Sequence, residues 1–212
     1  MTERNEKAER NRESGREGVD EASTGGGRAN GDDPLAWETI DSAVAYACPA
    51  FAIRHETVGL PDGTETDFDY LTEPPAVVIL PLTSDREVLL IEEWRQAVGR
   101  VNRGLPAGTV ESEDADLESA ARRELREETG YEAGRLRQLT TVEPANGVAD
   151  SVHHYFLAEG CTPAGEQDLD ADESIRVLEA SHEDFREAVQ AGEVRDGRAV
   201  FALAFYELLG EE

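Results

Sequence analysis

Apolar positions along the chain fall into two rhythms. Residues 76–82 form a continuous apolar run of strand length, and after the Ser84-Asp85 turn a second run follows at 88–92. Both read as central strands. Shorter strand patterns occupy 44–46 and 51–58. Pro61-Asp62-Gly63 then turns the chain into a return strand at 67–71, which predicts a hairpin. Residues 116–129 switch to the helical period and stop at Gly130, a residue suited to a left-handed helix end. Strands return at 136–142 and 152–158, and 182–191 and 199–209 have the pattern of amphipathic helices. Without regular βαβ spacing or an internal repeat, this order predicts an α/β fold: a mixed sheet with helices on both faces.

Residues 1–33 hold almost no large apolar side chains and include Thr24-Gly25-Gly26-Gly27 among mixed charges. Such a segment buries too little surface to offset the cost of ordering, so a disordered tail is expected, with structure beginning near Pro34. Three parts follow: the tail, N-terminal strands over 34–74 and the main domain over 75–212.

Charge sharpens this picture. The chain of 212 residues has a formal net charge of -27, with 47 Asp and Glu against 20 Lys and Arg, and its single lysine is Lys7. That balance repels nucleic acid and anionic membranes, so neither is expected as a partner. It also fits a protein adapted to a salt-rich interior, where screening weakens self-repulsion. Cys48 and Cys161 lie too far apart in sequence for a zinc pattern or a disulfide framework. They read as apolar fillers in a reducing compartment. No apolar leader or bilayer-length run is visible, and a cytoplasmic protein is expected.

The helix at 116–129 carries the candidate chemistry. On a helical wheel Glu124, Glu127 and Glu128 fall within about 60° of one another's mean direction, on the face that also holds Leu117, Ala120 and Ala121. Glu118, Ser119, Arg122, Arg126 and Thr129 fall opposite. Carboxylates on an inward face repel one another and lose hydration, a cost that a hard divalent cation with oxygen ligands removes. Upstream, Leu105-Pro106-Ala107-Gly108 forms a loop where backbone approaches closely. Arg95, at the end of Ile91-Glu92-Glu93-Trp94-Arg95, presents a guanidinium suited to phosphate oxygens.

These residues resemble the Nudix hydrolase family. Arg123-Glu124-Leu125-Arg126-Glu127-Glu128-Thr129-Gly130-Tyr131 matches every fixed position in the second half of that family's box. Tyr46-Ala47-Cys48-Pro49-Ala50-Phe51, Pro61-Asp62-Gly63, the segment ending at Arg95, and Asp196-Gly197-Arg198 look like its ADP-ribose pyrophosphatase branch. The resemblance covers roughly residues 40–209. It implies a Nudix α/β/α sandwich with an N-terminal strand extension. It further implies metal ligation by Glu124, Glu127, Glu128 and the carbonyl of Ala107, with magnesium as the cofactor and manganese as its alternative. Arg123 belongs with the catalytic residues, and Arg95 contacts the substrate diphosphate. Homodimers that exchange N-terminal strands are common in the branch, which implies Phe51 and Arg54 near the partner's site.

The chain departs from the pattern twice. Where the box expects Glu, six residues after Gly108, it has Asp114 and one additional residue before Arg123; Glu113 or Asp114 is expected to hold Arg123 across a bulged loop. Where the branch often supplies a catalytic glutamate, in the loop 144–151, Ser151 stands, which leaves Asp150 or a box glutamate such as Glu127 as the base. The adjacent His153 and His154 read as structural. The implied activity is hydrolysis of the diphosphate of ADP-ribose or a related nucleoside-diphosphate sugar to a nucleoside monophosphate and a sugar phosphate. The alternatives are hydrolysis of other nucleoside polyphosphates, or a catalytically silent domain that senses ADP-ribose-like ligands.

Overall fold

The computed structural model describes residues 33–209. The tail expected over 1–33 therefore lies outside the described residues, save Asp33. No helix among the described residues is long and apolar enough to cross a membrane.

Two compact units are present. The first runs up to Pro75 and also takes in Glu143–Val152. Its strands β1 (Glu38–Ala47), β2 (Ala52–Gly59) and β3 (Glu65–Thr72) form an antiparallel sheet in the order β1-β2-β3. The expected hairpin is β2–β3, in register from Ala52 opposite Thr72 to Gly59 opposite Glu65. Gly63 takes φ 85° in its turn, a conformation that favours glycine. β1 is much longer than its sequence signal at 44–46 and is exposed along its length. The segment Glu143–Val152 is fastened to β3: Leu71 N donates to Val148 O, and Asp150 N donates to Leu71 O, each at 3.0 Å.

The second unit comprises Ala76–Val142 and the chain from His153 onward. Its strands are β4 (Ala76–Thr83), β5 (Val88–Arg95), β6 (Arg100–Gly104), β7 (Ala107–Thr109), β8 (Tyr131–Glu132), β9 (Arg135–Val142), β10 (His153–Pro163) and β11 (Ile175–Ala180). The path of the sheet is β11-β5-β4-β10-β8, with β6 paired to β5, β7 to β4 and β9 to β10. β4 and β10 are parallel and the remaining pairs antiparallel, so the sheet is mixed. The helices are α1 (Leu117–Thr129), α2 (His182–Gln190) and α3 (Gly197–Leu209).

The alternation of side chains along a strand explains the layering. Val77 and Ile79 of β4 join Leu89, Phe156 and Ala158 against Ala120, Ala121 and Leu125 of α1. Val78, Leu80 and Leu82 face the other way, onto Phe185 of α2 and Ala199, Ala202, Leu203 and Tyr206 of α3. The continuous apolar run of β4 is thus buried on both sides, and the unit is an α/β/α sandwich. Each fully buried Val, Leu or Ile contributes about 1.5–3 kcal/mol.

The ends of α1 are fixed locally. Asp116 and Ser119 form a reciprocal capping box, and Gly130 closes the helix at φ 74°. Thr129 departs from the helical-wheel expectation. It is buried rather than solvated, and its hydroxyl donates back to Leu125 O.

Candidate functional site

α1 begins where β7 and the loop behind it end, which lays its Glu124–Glu128 turn against Ala107 and Gly108. Glu128 is 3% exposed, and its Oε2 accepts the Ala107 N–H at 2.9 Å. Glu124 rests on Gly108 so closely that a Cβ there would stand 2.2 Å from its carboxyl carbon. Any side chain at 108 would displace this carboxylate.

Arg123 organises the group. Its Nη1 donates to Glu124 Oε1 at 2.7 Å and to Glu127 Oε2 at 3.1 Å, and its Nη2 donates to Thr109 O at 2.9 Å. Asp114 accepts two further bonds from it, Nε to Oδ1 at 3.1 Å and Nη2 to Oδ2 at 2.9 Å. Of the two residues open for that role in the sequence, Asp114 fills it, whereas Glu113 accepts the Ser112 hydroxyl. The fork of Arg123 holds the Asp114 carboxyl below its usual pKa, and Asp114 in return raises the pKa of Arg123.

Burial dominates the electrostatics of the remaining carboxylates. It pushes Glu128 up to about 9, aided by the charges of Glu124, Glu173 and Glu93, against the Ala107 N–H. Glu124 is pushed up to about 7, again chiefly by burial, with Arg123 opposing. Glu93 and Glu173 are raised by burial as well. Glu173 stands on the loop before β11, two residues ahead of Ile175, which pairs with Glu93. Its charge reaches Glu93, Glu124 and Glu128, and that of Glu127 reaches Glu173. Sequence reasoning missed Glu173, because it lies in the acidic run 170–173, which reads as a solvated loop.

Arg95 ends β5 and pairs with Glu93 at 2.7 Å. Both line a small hollow with Asp196 and Arg198 at the start of α3. Arg198 pairs with Asp196 at 3.1 Å, and Asp196 Oδ1 accepts the N–H groups of Arg198 and Ala199. The expected site residues therefore divide. Arg123, Glu124, Glu127, Glu128 and Ala107 meet in the second unit, which also holds Arg95. Phe51, Arg54 and Asp150 belong to the first. There Arg54 donates to Ser42 Oγ at 3.2 Å, Phe51 lies against Tyr46, and Asp150 Oδ1 accepts the Glu73 N–H at 3.2 Å. Ser151 donates its hydroxyl to Glu73 Oε1. His154 shares a hydrogen bond with the Thr141 hydroxyl at 3.0 Å, a packing role.

Among the described residues no three His, Cys, Asp or Glu side chains converge closely enough, as they stand, to hold a metal ion. Arg123 occupies one oxygen each of Glu124 and Glu127, and the Ala107 N–H one oxygen of Glu128. The chemistry of the donors nevertheless fits a hard divalent cation. Two buried carboxylates of one helix, raised by desolvation and mutual repulsion, offer oxygen ligands that such a charge stabilises.

The NUDIX domain model matches residues 72–203. An ADP-ribose pyrophosphatase of Bacillus subtilis is 34% identical over 175 residues, covering 82% of this chain and 94% of the relative. A GDP-mannose pyrophosphatase of Klebsiella pneumoniae is 32% identical over 145 residues, 64% of this chain and 71% of that one. A crystal structure of an ADP compounds hydrolase superposes with a TM-score of 0.72 at 19% identity, covering 82% of this chain and 93% of the other, and shares the fold.

Proposed function

The chain belongs to the NUDIX domain family, and from that premise we propose that it hydrolyses the diphosphate bond of ADP-ribose or a close nucleoside-diphosphate sugar. It is a Nudix hydrolase of nucleoside-diphosphate sugars, and the products are a nucleoside monophosphate and a sugar phosphate. The observation that carries this reading is the burial of Glu124 and Glu128 against a glycine loop, with one arginine donating to both Glu124 and Glu127. A silent sensor has no use for that arrangement, since burying carboxylates without a ligand to relieve them only destabilises the fold.

Glu124, Glu127, Glu128 and the Ala107 carbonyl would hold divalent metal, and magnesium is the ion proposed, with manganese the alternative. When bound it supplies Lewis-acid polarisation of a phosphoryl oxygen. The residues of the chain do the rest. Arg123 keeps the carboxylates of Glu124 and Glu127 on the inner side of α1. Arg95 trades its pairing with Glu93 for the non-bridging oxygens of the diphosphate, which its planar fork fits. A carboxylate removes the proton of the attacking water. We assign that role to Glu173, whose charge lies within electrostatic reach of Glu93, Glu124 and Glu128. Asp150 is the second candidate. Its carboxylate accepts the Glu73 N–H and so helps fasten its own loop.

The test has two parts. Purified protein with magnesium is expected to release AMP and ribose 5-phosphate from ADP-ribose. No nucleoside monophosphate from either ADP-ribose or GDP-mannose would refute the hydrolytic reading. Glu173→Gln is then expected to lower kcat by about 10²-fold or more with KM little changed, as for a lost general base. The same loss in Asp150→Asn, with Glu173→Gln active, would transfer the role. We also propose a cytoplasmic homodimer that exchanges N-terminal strands and brings Phe51 and Arg54 to the partner's site. The exposed apolar side chains Ile40, Val44 and Tyr46 along β1 support it.

A further inference from the structure

Within the first unit, β1, β2, β3 and Glu143–Val152 line an open pocket of about 380 Å3, of which the hydrolytic reading calls only on Asp150, its second candidate base. Three aromatic rings wall it. Trp37 and Phe68 meet edge to face, with centroids 5.9 Å apart at 87°, and Phe68 and Tyr70 lie 6.1 Å apart. Three carboxylates also line it, those of Glu56, Glu143 and Asp150.

Glu56 makes the cavity unusual. It is 8% exposed, and three hydroxyls donate to it: Thr39 at 3.4 Å, Ser42 at 3.1 Å and Tyr70 at 3.2 Å. Among the described residues lining the cavity there is no lysine, arginine or histidine. The guanidinium of Arg54 is one step removed, since it donates to Ser42 Oγ rather than to the carboxylate. Buried carboxylates are ordinarily paired with a positive charge. Aromatic faces are themselves electronegative and attract cations.

We propose that this cavity binds an organic cation, a quaternary or tertiary alkylammonium group. A bare metal ion is a poor occupant, because it would engage only the carboxylates and leave the aromatic walls and most of the volume unfilled. A primary ammonium carries three strong donors and needs more acceptors than the apolar walls supply. An alkylated ammonium spreads its charge over methyl groups that fit aromatic faces, while the carboxylates balance it at longer range. This inference is independent of the hydrolytic reading.

The probes are choline and tetramethylammonium chloride, titrated at ionic strength held constant with potassium chloride. The full-length chain carries Trp94→Phe, which leaves Trp37 as its single tryptophan. Saturable change in Trp37 fluorescence is expected below about 50 mM, with the neutral isostere 3,3-dimethylbutan-1-ol weaker by about tenfold or more. Glu56→Gln is expected to weaken choline by about tenfold. Should that variant fail to fold, Phe68→Leu, which keeps bulk and removes the ring, is expected to do the same. The proposal is overturned if no saturation occurs up to about 200 mM, if the isostere binds as well as choline, or if adenosine competes and the variants leave choline binding unchanged.

Discussion

Adding one methyl group at Gly108 isolates the geometry of the carboxylates from the stability of the fold. A Cβ at that position would stand 2.2 Å from Glu124 Cδ and 2.3 Å from each of its carboxylate oxygens. Ordinary contact begins at 3.4 Å, so the carboxylate must retreat by 3.4 − 2.2 = 1.2 Å. It is the far end of a flexible side chain, and it yields before the backbone of β7 does. The stability cost should therefore fall at or below the usual range for overpacking, about 1–3 kcal/mol. The functional cost is another matter, because a displacement of about 1 Å at a reacting centre is worth on the order of 10²-fold in rate, or about 2.7 kcal/mol. Gly108→Ala should thus melt within a few degrees of the parent yet release AMP from ADP-ribose at least about 100-fold more slowly. Melting curves on the metal-free protein and initial rates at saturating magnesium measure the two separately. Unchanged kcat would refute the placement of Glu124, and a large fall in melting temperature with normal activity would show that the backbone gave way instead.

Glu128→Gln keeps the shape of a buried side chain and removes its charge, so turnover should be nearly abolished while the metal-free protein melts at the same temperature or higher; wild-type rates, or an early melt, would contradict this. Burial pushes the Cys161 thiol up to about 11, so at pH 7.5 it should react with a disulfide reagent only after denaturation, whereas half-buried Cys48 should react in the native protein. Fast labelling of both would place Cys161 wrongly. Because the net charge is -27, the melting temperature should rise as potassium chloride goes from low to molar concentration, and a flat or falling series would reject self-repulsion as the controlling term.

The sequence was most legible where one physical requirement acts alone. β4 is apolar from Ala76 to Leu82 because both its faces are covered, and α1 is bounded by Asp116 and Gly130, residues with strong local preferences. It was least legible where tertiary neighbours decide. β11 reads Ile-Arg-Val-Leu-Glu-Ala, and Arg176 lies opposite Glu92 of β5, a pairing invisible before the strands are adjacent. Thr129 sits at a polar wheel position but is buried, which its own hydroxyl permits by bonding to Leu125 O. The same holds within the site. Asp114 rather than Glu113 meets Arg123 because of the path taken by the loop 110–116, and nothing in the composition distinguishes the two. Glu173 is one acid among several in its run, and only the fold directs its charge toward α1.

The fastening of Glu143–Val152 to β3 has a consequence for how such proteins can be recombined. Leu71, Glu73, Val148, Asp150 and Ser151 make their bonds to one another inside the first unit, although some 70 residues of the second unit separate them in the chain. A chimera that takes its N-terminal strands from a relative and joins them at Pro75 would pair foreign strands with a native loop. Exchanging the unit intact needs three seams, after Pro75, before Glu143 and after Val152. The main-chain bonds of Leu71 survive a join at Pro75 alone, but a single crossover would separate Glu73 from the Asp150 and Ser151 side chains that bond to it. These positions are therefore expected to have changed together, as one heritable piece written in two places.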